Sequence, residues 1–144
     1  MHNKNYSATI EVVQSPELVF SHILDVSKWW SKDFEGNSTK LNDEFVICYP
    51  DRHYSKQKLI EVIPARKVVW LVTDSNLNWI EKDKNEWTNT RMDFEITGKG
   101  IITMLHFIHE GLVPEKECYA MCTQGWNMVI KERLFNFITS GKTI

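Results

Sequence analysis

From Tyr6 to Val13 the chain alternates, with Tyr6, Ala8, Ile10 and Val12 set against Ser7, Thr9 and Glu11, the period of a half-buried strand. Ser15-Pro16-Glu17 reads as a helix start, with Ser15 as N-cap and Pro16 in the first helical position. Leu18, Val19, Phe20, Ile23 and Leu24 supply the apolar stripe of that helix. It is expected to stop near Asp25 to Ser27, where Lys28-Trp29-Trp30 begins a second short helical turn, and 33–42 is expected to be a loop around Gly36 and Asn37.

After that loop the period changes to two. Glu44 to Tyr49 is a predicted strand closed by Pro50-Asp51, Tyr54 to Ile63 another ended by Pro64, and Val68 to Thr73 a third. Asp74 to Asn89 is polar and Asn-rich, a long excursion that holds Trp79 and Trp87. Arg91 to Thr97 alternates again, and Gly98-Lys99-Gly100 is a hairpin turn into Ile101 to Glu110. Such hairpin connections predict an antiparallel sheet of about six strands.

Gly111 to Pro114 ends the sheet, and the longest helix is expected over Glu115 to Ser140, closed by Gly141. At about 100° per residue, Tyr119, Cys122, Trp126, Val129, Ile130 and Phe137 share one face. A broad sheet must bury one side, and only one long amphipathic helix is available to cover it. The fold class is therefore α+β, a curved antiparallel sheet around a C-terminal helix, with a cavity flanked by the two short helices. No repeat or linker divides residues 1–144, which are expected to form one domain.

Composition narrows the function classes. Charged residues are 25% and hydrophobic ones 42%, a globular balance, and the net charge of −2 is spread without a basic face, so nucleic acid is not an expected partner. Six Trp, seven Phe and four Tyr are many for this length, and aromatics serve both cores and small-molecule pockets. The polar start Met-His-Asn-Lys-Asn and the lack of a long apolar run predict neither a signal peptide nor a membrane span. Three cysteines without scaffold spacing predict free thiols and a cytoplasmic setting.

Several short runs carry a family resemblance. Thr9-Ile10-Glu11-Val12, Ser15-Pro16-Glu17, Trp29-Trp30, Ile60-Glu61-Val62-Ile63-Pro64 and Lys67-Val68-Val69-Trp70 together resemble the START-like (SRPBCC, helix-grip) superfamily. His109-Glu110-Gly111-Leu112 and Gly125-Trp126 are similar to its branch named after the activator of heat-shock-protein-90 ATPase, in that protein's C-terminal domain. The order and spacing of the runs cover essentially the whole chain. The resemblance implies a central cavity for lipids, hormones, polyketides or other apolar ligands; a few members are cyclases, dehydratases or hydrolases. The eukaryotic namesake stimulates a chaperone and also uses a separate N-terminal domain.

The resemblance also implies that the sheet face bearing Thr103, Leu105, Phe107 and His109 is concave, which puts His109 at the cavity rim. There it is either a polar anchor or acid–base group for a ligand, or a structural histidine bonded to backbone. His106 points to the opposite face, so the two cannot readily chelate one metal. Cys118 and Cys122 lie one helical turn apart without the two further ligands a thiolate metal site needs, and Cys122 on the apolar stripe reads as a small buried hydrophobe, with a ligand contact or a nucleophile as the alternatives. Arg133 falls on the face of Trp126, Val129, Ile130 and Phe137. It either reaches into the cavity to grip a carboxylate or phosphate, snorkels past the sheet edge, or pairs with an internal acid. Trp126 after Gly125 reads as core, Gly125 letting the helix approach the sheet. Of Trp29 and Trp30, one packs inward and the other lines the cavity mouth. Trp79 and Trp87 suggest a lid or contact surface.

The expected ligand contacts are thus His109, Arg133, Tyr119, Trp126, Cys122, Trp30 and Phe107, with no catalytic residue, metal or cofactor assigned. Glycine-rich phosphate loops, Gly-x-Ser-x-Gly elbows and zinc spacings do not occur in the chain. Ile102, Met104, His106 and Ile108 make the outer face of the last strand unusually apolar, and a homodimer is the economical cover. The leading expectation is a domain that binds a small apolar or amphipathic ligand. The alternatives are a cyclase, dehydratase or hydrolase using the same cavity, or a chaperone- or stress-related interaction module with a filled core.

Overall fold

The computed structural model describes residues 4–50 and 52–144. Residues 1–3 of the polar start and Asp51 of the expected Pro50-Asp51 turn lie outside the described residues. Among the described residues, seven antiparallel strands form a single sheet in the order β1-β7-β6-β5-β4-β3-β2. They are β1 (Tyr6–Val12), β2 (Phe34–Gly36), β3 (Glu44–Tyr49), β4 (His53–Ile63), β5 (Lys67–Leu77), β6 (Arg91–Lys99) and β7 (Ile102–Glu110).

The alternation seen in sequence becomes the two faces of this sheet. On β1, Tyr6, Ala8, Ile10 and Val12 are buried and their neighbours exposed; β7 pairs with it in the register Tyr6↔His109 and Ile10↔Leu105. Met92, Phe94 and Ile96 of β6, Val68, Trp70 and Val72 of β5, and Phe45 and Ile47 of β3 continue the buried face. The β4–β5 pairing shifts register twice, with Thr73 of β5 extra opposite Lys56/Gln57 and Ile60 of β4 extra between Leu59 and Glu61, irregularities that sharpen local twist and help to curl the sheet into a trough.

Two departures from the sequence expectation enlarge the sheet. β2 forms inside the expected 33–42 loop, pairing Phe34 with Ile47, so the strands number seven rather than about six. β5 runs to Leu77 rather than stopping at Thr73, because Ser75 and Leu77 turn inward while Asp74 and Asn76 stay in water. A polar stretch with period two is still a strand when one side of it is covered.

Helix α1 (Pro16–Leu24) starts as its sequence dictates: Ser15 Oγ accepts the Leu18 N–H at 3.2 Å. The second turn is a 3₁₀ turn, Val26–Lys28, with Trp29 and Trp30 directly after it. The C-terminal rod is α2 (Tyr119–Met128), a π-helical stretch (Val129–Leu134) and α3 (Phe135–Ser140), ending on Gly141 in the left-handed conformation. It begins four residues after the expected Glu115. The Glu86 carboxylate explains the start point, accepting the N–H groups of Glu117 at 2.9 Å and Cys118 at 3.1 Å. A negative group there also complements the positive end of the helix.

The Glu117 carboxylate in turn accepts the N–H groups of Glu81 at 2.9 Å and Lys82 at 3.0 Å. The excursion after β5 is therefore latched to the start of α2 from both sides. It closes over one end of the trough and carries Ile80 and Trp87 into the core.

Candidate functional site

Between that excursion, the rod and the β3–β4 end of the sheet lies a pocket of about 660 Å³. Its walls are largely indole: Trp30 from the end of the 3₁₀ turn, Trp87 and Trp79 from the excursion, and Trp126 from α2. Trp87 and Trp126 stack at 5.8 Å with rings 7° apart, and Trp30 leans on Trp126 at 5.0 Å. Behind them Trp30 and Trp70 stack at 5.8 Å, and Trp29 stacks on Trp70 at 6.2 Å, a rigid aromatic floor. Trp79, 40% exposed, stands at the mouth.

Gly125 opens this space. Sequence suggested that it lets the helix approach the sheet, yet a Cβ built there meets nothing within 4 Å, and the residue lines the pocket. Its missing side chain makes room in the pocket rather than allowing a close helix–sheet contact.

Four of the seven expected contacts line the pocket: Trp30, Cys122, Trp126 and Arg133. Three do not. Phe107 is fully buried beneath Trp126, with ring centroids 4.7 Å apart. Tyr119, half-buried at the start of α2, is not among the lining residues and lies close enough to Tyr6 to bear on that phenol's ionisation. His109 is not at a rim; it is 0% exposed, behind the indole of Trp126.

The surroundings of His109 fix its proton. Trp126 Nε1 can only donate, and it lies 3.0 Å from His109 Nδ1, so Nδ1 is an acceptor without hydrogen. The proton of the neutral ring is then on Nε2, 2.8 Å from Thr90 Oγ1, and Thr90 passes its own hydroxyl hydrogen to the Trp87 carbonyl at 2.6 Å. Each donor and acceptor in the relay from Trp126 through His109 and Thr90 to the Trp87 carbonyl is satisfied with the imidazole uncharged. Burial, with smaller contributions from His53 and Lys116, holds its pKa down to about 3. Here the histidine sets the positions of both stacked tryptophans and has no free nitrogen for a ligand.

Three further residues reach the pocket from the β3–β4 connection: Tyr49, Arg52 and His53. His53 Nε2 is 2.7 Å from the Ser55 hydroxyl, and burial lowers its pKa to about 4, so it too is neutral at pH 7. Tyr49 donates to the Trp30 carbonyl at 2.9 Å, and Arg133 Nη1 donates to the same oxygen at 3.3 Å. Burial raises the Tyr49 pKa while the Arg133 guanidinium beside it pulls the other way. Among the described residues, neither Arg52 nor Arg133 makes an ion pair with a carboxylate. A polar annex of about 260 Å³ adjoins through Tyr49, Arg52 and His53, and Asp74 is among its walls.

Of the thiols, Cys122 faces the pocket, while Cys118 is buried beside it; hydrogen bonding with Cys122 and burial push the Cys118 thiol up. All three cysteines are free. Among the described residues no group of three or more His, Cys, Asp or Glu side chains is placed to hold a metal, and no helix is long and apolar enough to cross a membrane.

Sequence reasoning missed Tyr49, Arg52, His53 and Gly125 as pocket residues. A tight turn after a strand ended by Pro50 carries no signal that it faces a helix some seventy residues further on; only the curl of the sheet brings them together.

No family model matches the sequence, and no curated protein matches it. Solved structures do. The Aha1 dimer from Colwellia psychrerythraea has a TM-score of 0.76 and 19% identity, over 96% of this chain and 98% of that one. DynU16, a protein in the dynemicin biosynthetic locus, gives 0.70 at 14% identity over 99% of this chain, which spans about half (49%) of DynU16. CalU16 from Micromonospora echinospora gives 0.64 at 13% identity, over 94% and 76% of the two chains. At these identities the likeness speaks for the fold alone, the α+β helix-grip arrangement of a curled antiparallel sheet around a C-terminal helix.

Proposed function

We propose that this chain binds a small apolar or amphipathic molecule in the tryptophan-walled pocket, as one START-like unit. The observation that carries the reading is a space of about 660 Å³ lined by four indoles and left open by Gly125. Ligand sites usually fall between about 300 and 1,000 Å³ and combine apolar walls with a few fixed polar groups. Removing apolar surface from water at roughly 25 cal/mol per Å² is a sufficient driving force for a ligand that fills such walls.

An interaction module with a filled core suits this geometry less, because the space beside the rod is not filled. Catalysis needs a titratable pair that reaches the ligand. Cys122 and Arg133 face the same space with no hydrogen bond between them among the described residues, and Tyr49 and Arg133, which do lie side by side there, both donate to the Trp30 carbonyl. The His53–Ser55 pair is within bonding distance, yet the Ser55 side chain is fully buried and out of a ligand's reach. Binding without turnover is therefore the simpler reading. Three free thiols suit a reducing, cytoplasmic setting.

A homodimer belongs to the same proposal. Ile102, Met104 and Ile108 remain partly accessible on the outer face of β7, and the Colwellia protein is described as a dimer. Sedimentation at micromolar concentration should give twice the chain mass; a monomer at every concentration would remove this part.

The binding reading is tested with N-phenyl-1-naphthylamine, a neutral apolar dye. Saturable one-to-one binding is expected, with energy transfer from the pocket indoles, and Gly125→Leu should abolish it without unfolding the protein. Native mass spectrometry of protein taken gently from its own host should show a small molecule released on denaturation. A clean unliganded mass together with no saturable dye binding would overturn the proposal.

A further inference from the structure

We infer that the ligand of this pocket is an organic anion, an apolar body carrying an acid group held by the guanidinium groups of Arg133 and Arg52. The inference rests on the binding reading above and adds the charge of the ligand to it.

The first argument is the charge of the lining. The chain as a whole is acidic, with 19 Asp and Glu against 17 Lys and Arg. Yet the described residues around the pocket include Arg52 and Arg133 and no Asp or Glu. His53, the imidazole in the wall, is neutral and adds no charge of its own at pH 7. A cavity carrying one sign of charge between apolar walls concentrates ions of the other sign.

The second argument is the state of Arg133. It is half-buried, and its Nη1 is held by the Trp30 carbonyl, which fixes the guanidinium from behind. No carboxylate among the described residues pairs with it. A guanidinium has five N–H donors, so most of its capacity is left to face the pocket. A partly desolvated cation without a counter-ion is unfavourable unless something of opposite charge arrives, and a planar fork suits an oxyacid.

Among the described residues, Arg52 and Arg133 pair with no carboxylate and keep donor capacity free, whereas a cationic ligand would find no carboxylate among the described pocket residues. The adjoining annex contains Asp74, which keeps an acid group on the Arg133 side and leaves the annex to neutral polar substituents.

Two dyes sharing one skeleton separate the charge from the pocket. 1-Anilinonaphthalene-8-sulfonate is N-phenyl-1-naphthylamine with a sulfonate added. Arg133→Met should weaken the sulfonate dye by about 10-fold or more and the neutral dye by less than about 2-fold, since bonds to charged groups are the strong ones. Arg52→Gln, at an exposed site where folding is not at stake, should shift the same ratio in the same direction. Lys131→Met removes an equal charge from the outside of the rod and should leave both dyes unchanged. Raising the salt should weaken the sulfonate dye selectively in the parent protein and less in Arg133→Met. If both arginine variants bind the sulfonate dye as the parent does while the neutral dye still binds, the anion inference falls and the pocket stands. If neither dye binds the parent protein, both readings fall together.

Discussion

Acid should weaken this protein through His109 at pH values where carboxylates are still ionised. The ring is fully buried, its two nitrogens are committed to Trp126 and Thr90, and its pKa is held near 3. In the unfolded chain the same group has a pKa of about 6.5. The folded value is the lower one, so the unfolded state binds the extra proton and stability falls as pH falls. The contribution is complete above about pH 6.5 and is lost progressively on the way down to about pH 3. With 1.36 kcal/mol per pH unit, His109 alone removes about 2 kcal/mol between pH 7.5 and 5 and about 3 kcal/mol by pH 4. His53, with its pKa near 4, acts in the same direction and over nearly the same window, somewhat reduced because it is less completely enclosed. Against a total stability of roughly 5–15 kcal/mol, the two together are a large fraction.

The assay is urea unfolding at several pH values, with the slope of stability against pH read as protons taken up. The parent protein should approach two protons between about pH 6 and 5, and His109→Gln should approach one. That variant also loses the Trp126 bond, lowering its stability at neutral pH by about 1–3 kcal/mol, but this offset does not alter the slope. The imidazole resonances give a direct check: His109 should keep the Nε2–H tautomer down to about pH 4. A His109 resonance titrating near 6.5, or equal slopes in parent and variant, would show that the hydrogen-bond chain has been assigned wrongly.

Gly111 has φ +104°, and a Cβ there would meet Thr90 Cγ2 at 2.6 Å, so Gly111→Ala should destabilise by about 2 kcal/mol or more and also disturb the Thr90–His109 bond. Urea unfolding checks the loss, and a change below about 0.5 kcal/mol would mean that the turn relaxes freely. Glu86→Gln keeps one acceptor oxygen of two at the start of α2 and should reduce stability by about 1–3 kcal/mol, with faster amide exchange confined mainly to 78–90 and 115–120. Exchange unchanged there would break the link between the excursion and the helix. Gly125→Ala adds a methyl group to open space in a helix interior and should stabilise by about 0.5–1 kcal/mol; melting at a lower temperature would refute the open geometry.

The strands were legible because each keeps one face dry, and a period of two records that directly. Ser15 capping α1 and the hairpin after β6 are local chemistry, also written in the sequence, although the turn is Gly100-Ile101 and not Gly98-Lys99-Gly100, since Gly98 and Lys99 still pair with Thr103 and Ile102. What sequence did not disclose depends on long-range placement. Period told which face His109 occupies but not how deep it sits; that depends on the excursion folding across the end of the trough and bringing Thr90 and Trp87 to it. The start of α2 is set by a carboxylate thirty-one positions upstream of Glu117, which no capping pattern encodes. The π-helical stretch also changes the register of the rod, so Leu134 and Ile138 join Trp126, Val129, Ile130 and Phe137 among the buried positions, while Arg133 lines the pocket.

These non-local parts form one mechanical unit. The indole of Trp126 is held by His109, His109 by Thr90, and Thr90 by the carbonyl of Trp87, whose own ring stacks back on Trp126. Both stacked rings are pocket walls, so the pocket has its shape only while His109 is neutral. Protonation would put a second hydrogen opposite the Trp126 N–H and force the two donors apart. A ligand pressed against those rings favours the neutral imidazole, and by linkage it should shift the acid transition to lower pH. The residue that sequence placed at the cavity rim thus acts on the cavity through the walls it positions, without touching what the cavity holds.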